Sequence, residues 1–520
     1  MRGSKTILLV FLALLSLSLS VFSVDAKDPV GTECDKPRVR KSWESYSNDE
    51  KATYIEAVSL AMTKGYHIKF IELHVEFASE REAHGSCMFM YWHRMFLLGY
   101  ENMLRSLGDK YQCVTLPFWD HLTCSARAAA KKCSNIEDCS PIVQAFGGST
   151  VGVMKDLKVY NVTIKRATNG VCVTGAMCGS FCGNNTDGCA KCIVRGPARL
   201  KSYPSSAFFT SVYQQLFTYS DWVNFANAVE GGVHNMVHSA MGGALAYLQS
   251  PTDPLFFTHH SLIDALQTIY FKCQMGDDTG LTLDEKRKDP RFFANCPRRD
   301  KAGLFKGSDA ITMKTINFSG KWVHVRNDPQ NTLYPFFKDL PSTFAEYVDA
   351  KDLGPYSYSY EFSGALSNMY ANCKLSNTKT SATFLGQQDQ PAISSGSNRR
   401  LPTITRGPSE EDLKMRHWTI AMYEAARING YTEDGARDQM EMVLCVHKDE
   451  CLGGVSDYSD LFRQNFEVQG HPRCFTLLKL LKEGERLIGL PRWRELSSRL
   501  LPCPSKDKDI KEDKDAESVS

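Results

Sequence analysis

Val233-His234-Asn235-Met236-Val237-His238-Ser239-Ala240-Met241, followed by Asp253-Pro254-Leu255-Phe256-Phe257-Thr258-His259-His260-Ser261-Leu262-Ile263-Asp264, is the part of the chain whose reading decides its fold. His234 and His238 are four residues apart, so on a helix both imidazoles project from one face and reach a single ion. Taken alone, such a pair reads equally well as two histidines on a solvated face. A zinc protease needs Glu directly after the first histidine as general base, and Asn235 stands there, so a hydrolase lacks its catalytic group. The second block is an apolar helix opened by adjacent histidines. Neighbours on a helix point about 100° apart, so only one of His259 and His260 can join the ion held by His234 and His238.

Upstream, His84-Gly-Ser-Cys-Met-Phe-Met-Tyr-Trp-His93-Arg94 sets one histidine before a helix and another inside it, and His74 lies on the preceding helix. This supplies a second set of three. The surrounding periodicity predicts helices over Asp49 to Phe77 with a break near Gly65, over Met88 to Leu107, over Asp221 to Tyr247 until Gly242-Gly243, and from near Thr258 onward. Four such helices predict a mainly α fold, a four-helix bundle with a two-metal centre in its core. Six imidazoles with no sulfur and no evident carboxylate ligand favour copper or zinc over magnesium or calcium. Two ions with three neutral nitrogens each and an open face suit copper cycling between its oxidation states in reaction with dioxygen, whereas zinc has no redox chemistry.

With these residues in view, the chain resembles the tyrosinase family of type 3 dicopper proteins, which includes tyrosinases, catechol oxidases and molluscan haemocyanins. The resemblance runs from about Arg40 to Glu361. It rests on the His84 to His93 spacing with Trp92-His93-Arg94 and Glu101, on Leu116-Pro-Phe-Trp-Asp120, on His234-Asn235-x-x-His238 with Gly242-Gly243, and on the block from Asp253 to Asp264. Tyr358-Ser359-Tyr360-Glu361 resembles the tyrosine motif that closes the family's catalytic domain, and Arg40 the arginine that packs on it as a cation over an aromatic face. The resemblance implies that His74, His84 and His93 hold one copper ion and His234, His238 and His260 the other. It leaves His259 beside the metal or facing substrate, and His67 as the competitor of His74. Asn235 matches the asparagine that, with a glutamate for which Glu230 is the candidate, orients a water to deprotonate an incoming phenol. Leu248 matches a position from which a side chain overhangs the coppers.

Three departures stand out. Met90-Tyr91 replace the family's usual Leu-Pro before Trp92-His93-Arg94. No cysteine lies two residues before His84, so no cysteine–histidine thioether is expected, and Cys87 remains free to form a disulfide. His121 stands where an aromatic residue is usual and reads as structural.

The rest of the chain sets the context. Lys plus Arg is 61 and Asp plus Glu 59, for a formal charge of +2, which offers no electrostatic argument for nucleic acid or an acidic membrane surface. Arg2 and Lys5, an apolar run from Ile7 to Val24 and Ala26 read as a cleaved secretory signal, with no stable membrane insertion expected afterwards. All 18 cysteines lie beyond it, an even number that favours disulfides in an oxidising compartment. Five of them, Cys172, Cys178, Cys182, Cys189 and Cys192, crowd into a loop-rich stretch that reads as a disulfide-stapled insertion, with a zinc site at the Cys189-x-x-Cys192 pair as the rival. Asn161, Asn184 and Asn317 head glycosylation sequons.

Residues Ser376 to Ser409 are polar and read as a linker, helical periodicity then returns with four cysteines, and the tail alternates Lys with Asp and Glu. The division expected is signal 1–26, dicopper catalytic domain 27–365, linker 366–410, C-terminal helical disulfide-containing domain 411–503 and charged tail 504–520. The C-terminal domain is a candidate shield over the copper site. The function implied is a secreted phenol oxidase, a tyrosinase acting on monophenols and catechols with O2. The alternatives are a catechol oxidase without monophenol activity and a haemocyanin-like oxygen binder.

Overall fold

The first long helix, Asn48–Thr63, starts because Ser47 accepts from the Glu50 amide while the Glu50 side chain caps Ser47 in return. Its apolar residues Tyr54, Ala57, Val58, Ala61 and Met62 repeat at three and four and are buried. Gly65, at φ 75°, breaks the chain direction before Tyr66–Val75. Phe89–Arg105 is buried along its whole length and packs against Leu255–Met275. The computed structural model describes residues 29–183, 188–277, 280–373, 401 and 403–503. The expected signal at 1–26, the Asn184 sequon, most of the polar stretch after Ser376 and the tail 504–520 lie outside the described residues.

The helix expected over Asp221 to Gly242 is not continuous. Trp222–Val229 passes through a wide π turn, Glu230–His234, into Asn235–Met241. Gly232 takes a non-helical ψ of −113° there, and Gln215 Oε1 accepts the Val233 amide at 3.0 Å. A Cβ on Gly232 would stand 2.4 Å from the Gln215 side-chain carbonyl, so a larger residue would displace that side chain and its bond to the Val233 amide. The turn re-aims His234 relative to the helix before it.

A buried ion cluster joins the helices behind the histidines. Arg94 pairs with Asp264 Oδ1 and donates to the carbonyls of Tyr347 and Val348 at 2.8 and 3.1 Å. Arg40 reaches Asp264 at 3.1 Å and Glu101 at 3.0 Å, with its guanidinium 3.9 Å from the centre of the Tyr358 ring. Tyr358 and Tyr360 donate to the same Asp264 oxygen. Burial alone would raise the Asp264 carboxyl, but Arg94 and Arg40 hold it below the usual carboxylate range.

Val39–Lys41, which carries Arg40, lies parallel to Ser359–Phe362, and that strand pairs on its other side with Ile404–Thr405. One small sheet therefore gathers the start of the bundle, its closing tyrosine motif and the start of the C-terminal helices. Eight disulfides are formed among the described residues. Cys172–Cys192 and Cys182–Cys189 staple the cysteine-rich insertion, while Cys178 and Cys124 stay as buried thiols.

The helix Gly364–Ala371 runs across the boundary expected between catalytic domain and linker at 365/366, and Cys373 beyond it is bonded to Cys273. Glu410–Ile428 packs on His121–Ala129, and its Met415, Trp418 and Met422 belong to the same buried core as the bundle. Thr419 and Thr210 share a hydrogen bond of 2.9 Å across that contact. No described helix is long and apolar enough to cross a membrane.

None of the eight disulfides links the chain before residue 374 to the chain after residue 400. A single proteolytic cut between these positions is therefore expected to leave two pieces that co-elute under native conditions and separate on a non-reducing denaturing gel. Separation in native buffer would show that the C-terminal helices do not share the bundle's core.

Candidate metal centre

Six histidine rings from six consecutive or neighbouring elements converge in the bundle core. Tyr66–Val75 supplies His74 and Phe89–Arg105 supplies His93. His84 comes from the extended residue after Phe77–Ala83. The π turn and the helix after it bring His234 and His238, and Leu255–Met275 brings His260. Two triads result, His74 with His84 and His93, and His234 with His238 and His260, the ligand atoms of each lying within 4.8 Å of one another. All six are buried. The triads meet where His93 stacks on His260 with ring centres 4.1 Å apart. Phe256 packs on His74 and on His260 at 5.0 and 4.1 Å.

Hydrogen bonds decide which nitrogen of each ring faces the centre. Nδ1 of His74 donates to the Leu248 carbonyl at 2.7 Å, that of His93 to Phe89 at 2.8 Å and that of His238 to Leu245 at 2.7 Å. His234 Nδ1 donates to Asn235 Oδ1 at 2.8 Å. In these four rings Nε2 is left as a lone pair. The Nε2 atoms of His74, His84 and His93 are buried with no hydrogen-bond partner among the described residues. Those of His234 and His238 each stand 3.3 Å from His260 Nε2. Nitrogens about 2.0–2.1 Å from a tetrahedral ion lie about 3.3 Å apart, so the converging lone pairs match the ligand set of one cation. Burial, and then the neighbouring imidazoles, push His74, His93, His234 and His260 well below the ordinary histidine value, and burial pushes His238 down to about 3. Neutral imidazoles with open lone pairs are what a transition metal binds.

His67, the competitor of His74, points elsewhere. Its Nδ1 pairs with the Tyr100 hydroxyl at 2.9 Å, and its ring packs on Phe257. His259 falls outside the second triad and bonds to His121 at 2.9 Å, and His121 bonds on to the Tyr203 hydroxyl at 2.8 Å. Tyr91, one of the departures, stacks on Trp222 at 4.5 Å. Cys87 is bonded to Cys296. Two other metal-like groups, His447 with Cys451 and Cys503, and Cys34 with Asp35 and Cys113, use cysteines that are in disulfides.

Glu230 and Asn235 stand at the edge of the centre and line one cavity with His84. Glu230 Oε1 accepts the Gly85 amide at 2.7 Å, and burial raises its carboxyl to about 7. Above the histidines lies a segment that sequence reasoning did not single out. Phe466 of the helix Asp460–Phe466 sits 5.2 Å from the His84 ring and 5.7 Å from His238, and so spans the two triads. Phe462 lies behind it, 6.3 Å from His238. The segment is tied down by the Ser459 amide to Ser239 Oγ at 2.7 Å, Asn465 to the Ala246 carbonyl at 3.1 Å, and Glu467 to Arg299 at 3.0 Å. Leu248 packs against this cluster.

Residues 63–272 match the family model described as the common central domain of tyrosinase. The chain is 30% identical over 244 residues to a tyrosinase of Streptomyces lincolnensis, covering 44% of this chain and 80% of that one. It is 25% identical over 281 residues to tyrosinase P of Aspergillus terreus, covering 46% and 76%. The chain belongs to the tyrosinase family. Among solved structures, a polyphenol oxidase variant from Thermothelomyces thermophila is similar at 20% identity and a TM-score of 0.41, covering 63% of this chain and 89% of that chain.

As a tyrosinase-family protein the chain is a copper oxidoreductase of the tyrosinase and catechol oxidase type, with a dicopper centre as its cofactor. Bound copper would supply the redox chemistry. The chain supplies neutral nitrogen donors, fixed tautomers and an apolar surround.

His238→Ala is expected to reduce bound copper from two ions per chain to one and to abolish catechol oxidation, since two nitrogens hold copper poorly. His67→Ala is expected to keep both ions. Metal analysis of the two purified variants checks the pair, and loss of copper from the His67 variant would reassign the first triad.

Proposed function

We propose that this protein is a secreted phenol oxidase that hydroxylates monophenols and oxidises catechols to o-quinones. In this reading His74, His84 and His93 hold one copper, and His234, His238 and His260 hold the other. The observation that carries it is the pairing of the two buried triads with Asn235 and Glu230 on one cavity. A phenol's ordinary pKa is near 10, so a base is needed to bring it to the metal as phenolate. The Glu230 carboxylate takes the proton through a water that the Asn235 amide nitrogen orients. The eight disulfides support an oxidising compartment. Asn161 is exposed in the turn between Leu157–Val159 and Val162–Ile164, where a glycan has room.

A second reading, catechol oxidation alone, draws on the contact between Asn235 Oδ1 and His234 Nδ1, by which Asn235 serves the metal site itself. Asn235→Leu separates the two. Under the first reading it depresses turnover of a monophenol such as tyrosine far more than that of a catechol. Equal losses on both would reject the water-orienting role and favour the second reading.

The segment bearing Phe466 acts in this proposal as the shield over the site. Displacing a buried Phe side chain forfeits about 1.5–3 kcal/mol, so Phe466→Ala is expected to raise kcat/KM for a catechol by about 10- to 100-fold at unchanged copper content. Unchanged or lower kcat/KM would show that Phe466 does not occlude the substrate.

A further inference from the structure

Beside the metal centre, a cavity of about 580 Å3 opens between the bundle and the C-terminal helices. His84, Glu230 and Asn235 form its inner end, where Phe466 also stands. Ser211, Gln214 and Thr218 line it from the helix Phe209–Phe217 and its cap, Glu441 from Glu433–Cys451, and Arg473 from the start of Arg473–Lys482. None of these five belongs to the segment that carries Phe466. Moving that segment therefore joins a cavity whose other walls stay in place to the copper site. The volume lies in the range of sites that enclose a whole drug-sized ligand, and exceeds what one phenol ring fills.

The charges along these walls are already matched. Glu441 pairs with Arg473, which also holds Asp438, Glu467 pairs with Arg299 at 3.0 Å, and His471 bonds to Asp457 at 2.6 Å. Among the described wall residues only Glu230 lacks such a partner, and it sits at the metal end, where the phenolic hydroxyl arrives. A substrate's distant carboxylate or ammonium would find these counter-charges already paired. Neutral polar side chains stand among these paired charges. Ser211 Oγ is buried on the cavity wall with no hydrogen-bond partner among the described residues. Asn227 adds a neutral amide, Thr218 a hydroxyl that donates to Gln214 Oε1 at 2.8 Å, and Tyr219 an aromatic face.

We propose that this cavity receives the far end of the substrate and selects phenols bearing an uncharged, hydroxyl-rich substituent, such as an O-linked sugar, over free tyrosine, dopa and their amines. The inference rests on the phenol-oxidase reading above. Two substituted catechols and one dioxygen give two o-quinones and two waters, so the substituent passes through unchanged.

The test compares plain catechol, dopa, dopamine and 3,4-dihydroxyphenyl β-glucoside as substrates of the copper-loaded full chain in the Phe466→Ala background. The glucoside is expected to show the lowest KM, and Ser211→Ala to lower the glucoside-to-catechol preference by roughly two- to tenfold, the worth of one neutral hydrogen bond. Preference for dopa or dopamine, or an unchanged preference ratio in the Ser211 variant, would overturn the proposal. Failure to oxidise plain catechol would instead reject the oxidase reading. In that case calorimetric binding of phenyl β-glucoside, which no oxidation consumes, still decides. Binding weakened by Ser211→Ala supports the cavity's role, and no binding, or binding that the variant leaves unaltered, refutes it.

Discussion

Arg94 follows His93, Asp264 lies one helical turn after His260, and the ion pair between them locks together the two helices that carry one ring of each triad. The stacking of His93 on His260 at 4.1 Å is the consequence at the metal end. Burying these charges is expensive, and the cost is met only because every oxygen of Asp264 is engaged, by Arg94, Arg40, Tyr358 and Tyr360. Removing one member of such a cluster costs about 3–5 kcal/mol, a large share of the roughly 5–15 kcal/mol that holds a typical domain folded. The N-terminal strand with Arg40 and the closing strand with Tyr358 and Tyr360 are thus tied to the metal site through one carboxylate. The spacing of the two half-sites depends on residues that touch no metal.

The same economy governs the approach to the centre. The π turn at Glu230–His234 turns His234 inward and sets Glu230 against the Gly85 amide, next to a ligand of the other triad. The Tyr458 hydroxyl donates to the Gly231 carbonyl in that turn, so the shielding segment is anchored on the element that shapes the second triad. Phe466 and Phe462 then cover the histidines with apolar rings. The C-terminal helices are welded to the bundle through Trp418 and its neighbours, while Asp460–Phe466 lies between Gly454 and Gly470, both at positive φ. The C-terminal helices carry cavity walls, and the short segment carries the cover together with a further part of the wall.

Much of the site was legible in the sequence because metal ligation by helices leaves local marks. His234 and His238 are four residues apart, and Asn235 by its identity alone excludes the zinc-protease alternative. The cation of Arg40 over Tyr358 also emerged, through the resemblance that places both. Periodicity recovered the break at Gly65 but ran the helix through 230–234, because the π turn depends on Gln215 approaching Gly232 from a different helix. Phe466 left no local signal. Its partners His84 and His238 lie hundreds of residues upstream, and Phe462 with Phe466 reads as an ordinary amphipathic turn. The expected division put residues 366–373 with the linker, whereas Gly364–Ala371 and the Cys273–Cys373 bond bind them to the body, since a disulfide partner cannot be read from polarity.

Anomalous diffraction at the copper edge from crystals of the copper-loaded protein tests the paired three-nitrogen centre most directly. Two copper peaks per chain are expected, one about 2 Å from Nε2 of His74, His84 and His93, the other about 2 Å from Nε2 of His234, His238 and His260. A single peak, or a copper bound by His67 or His259, would contradict it.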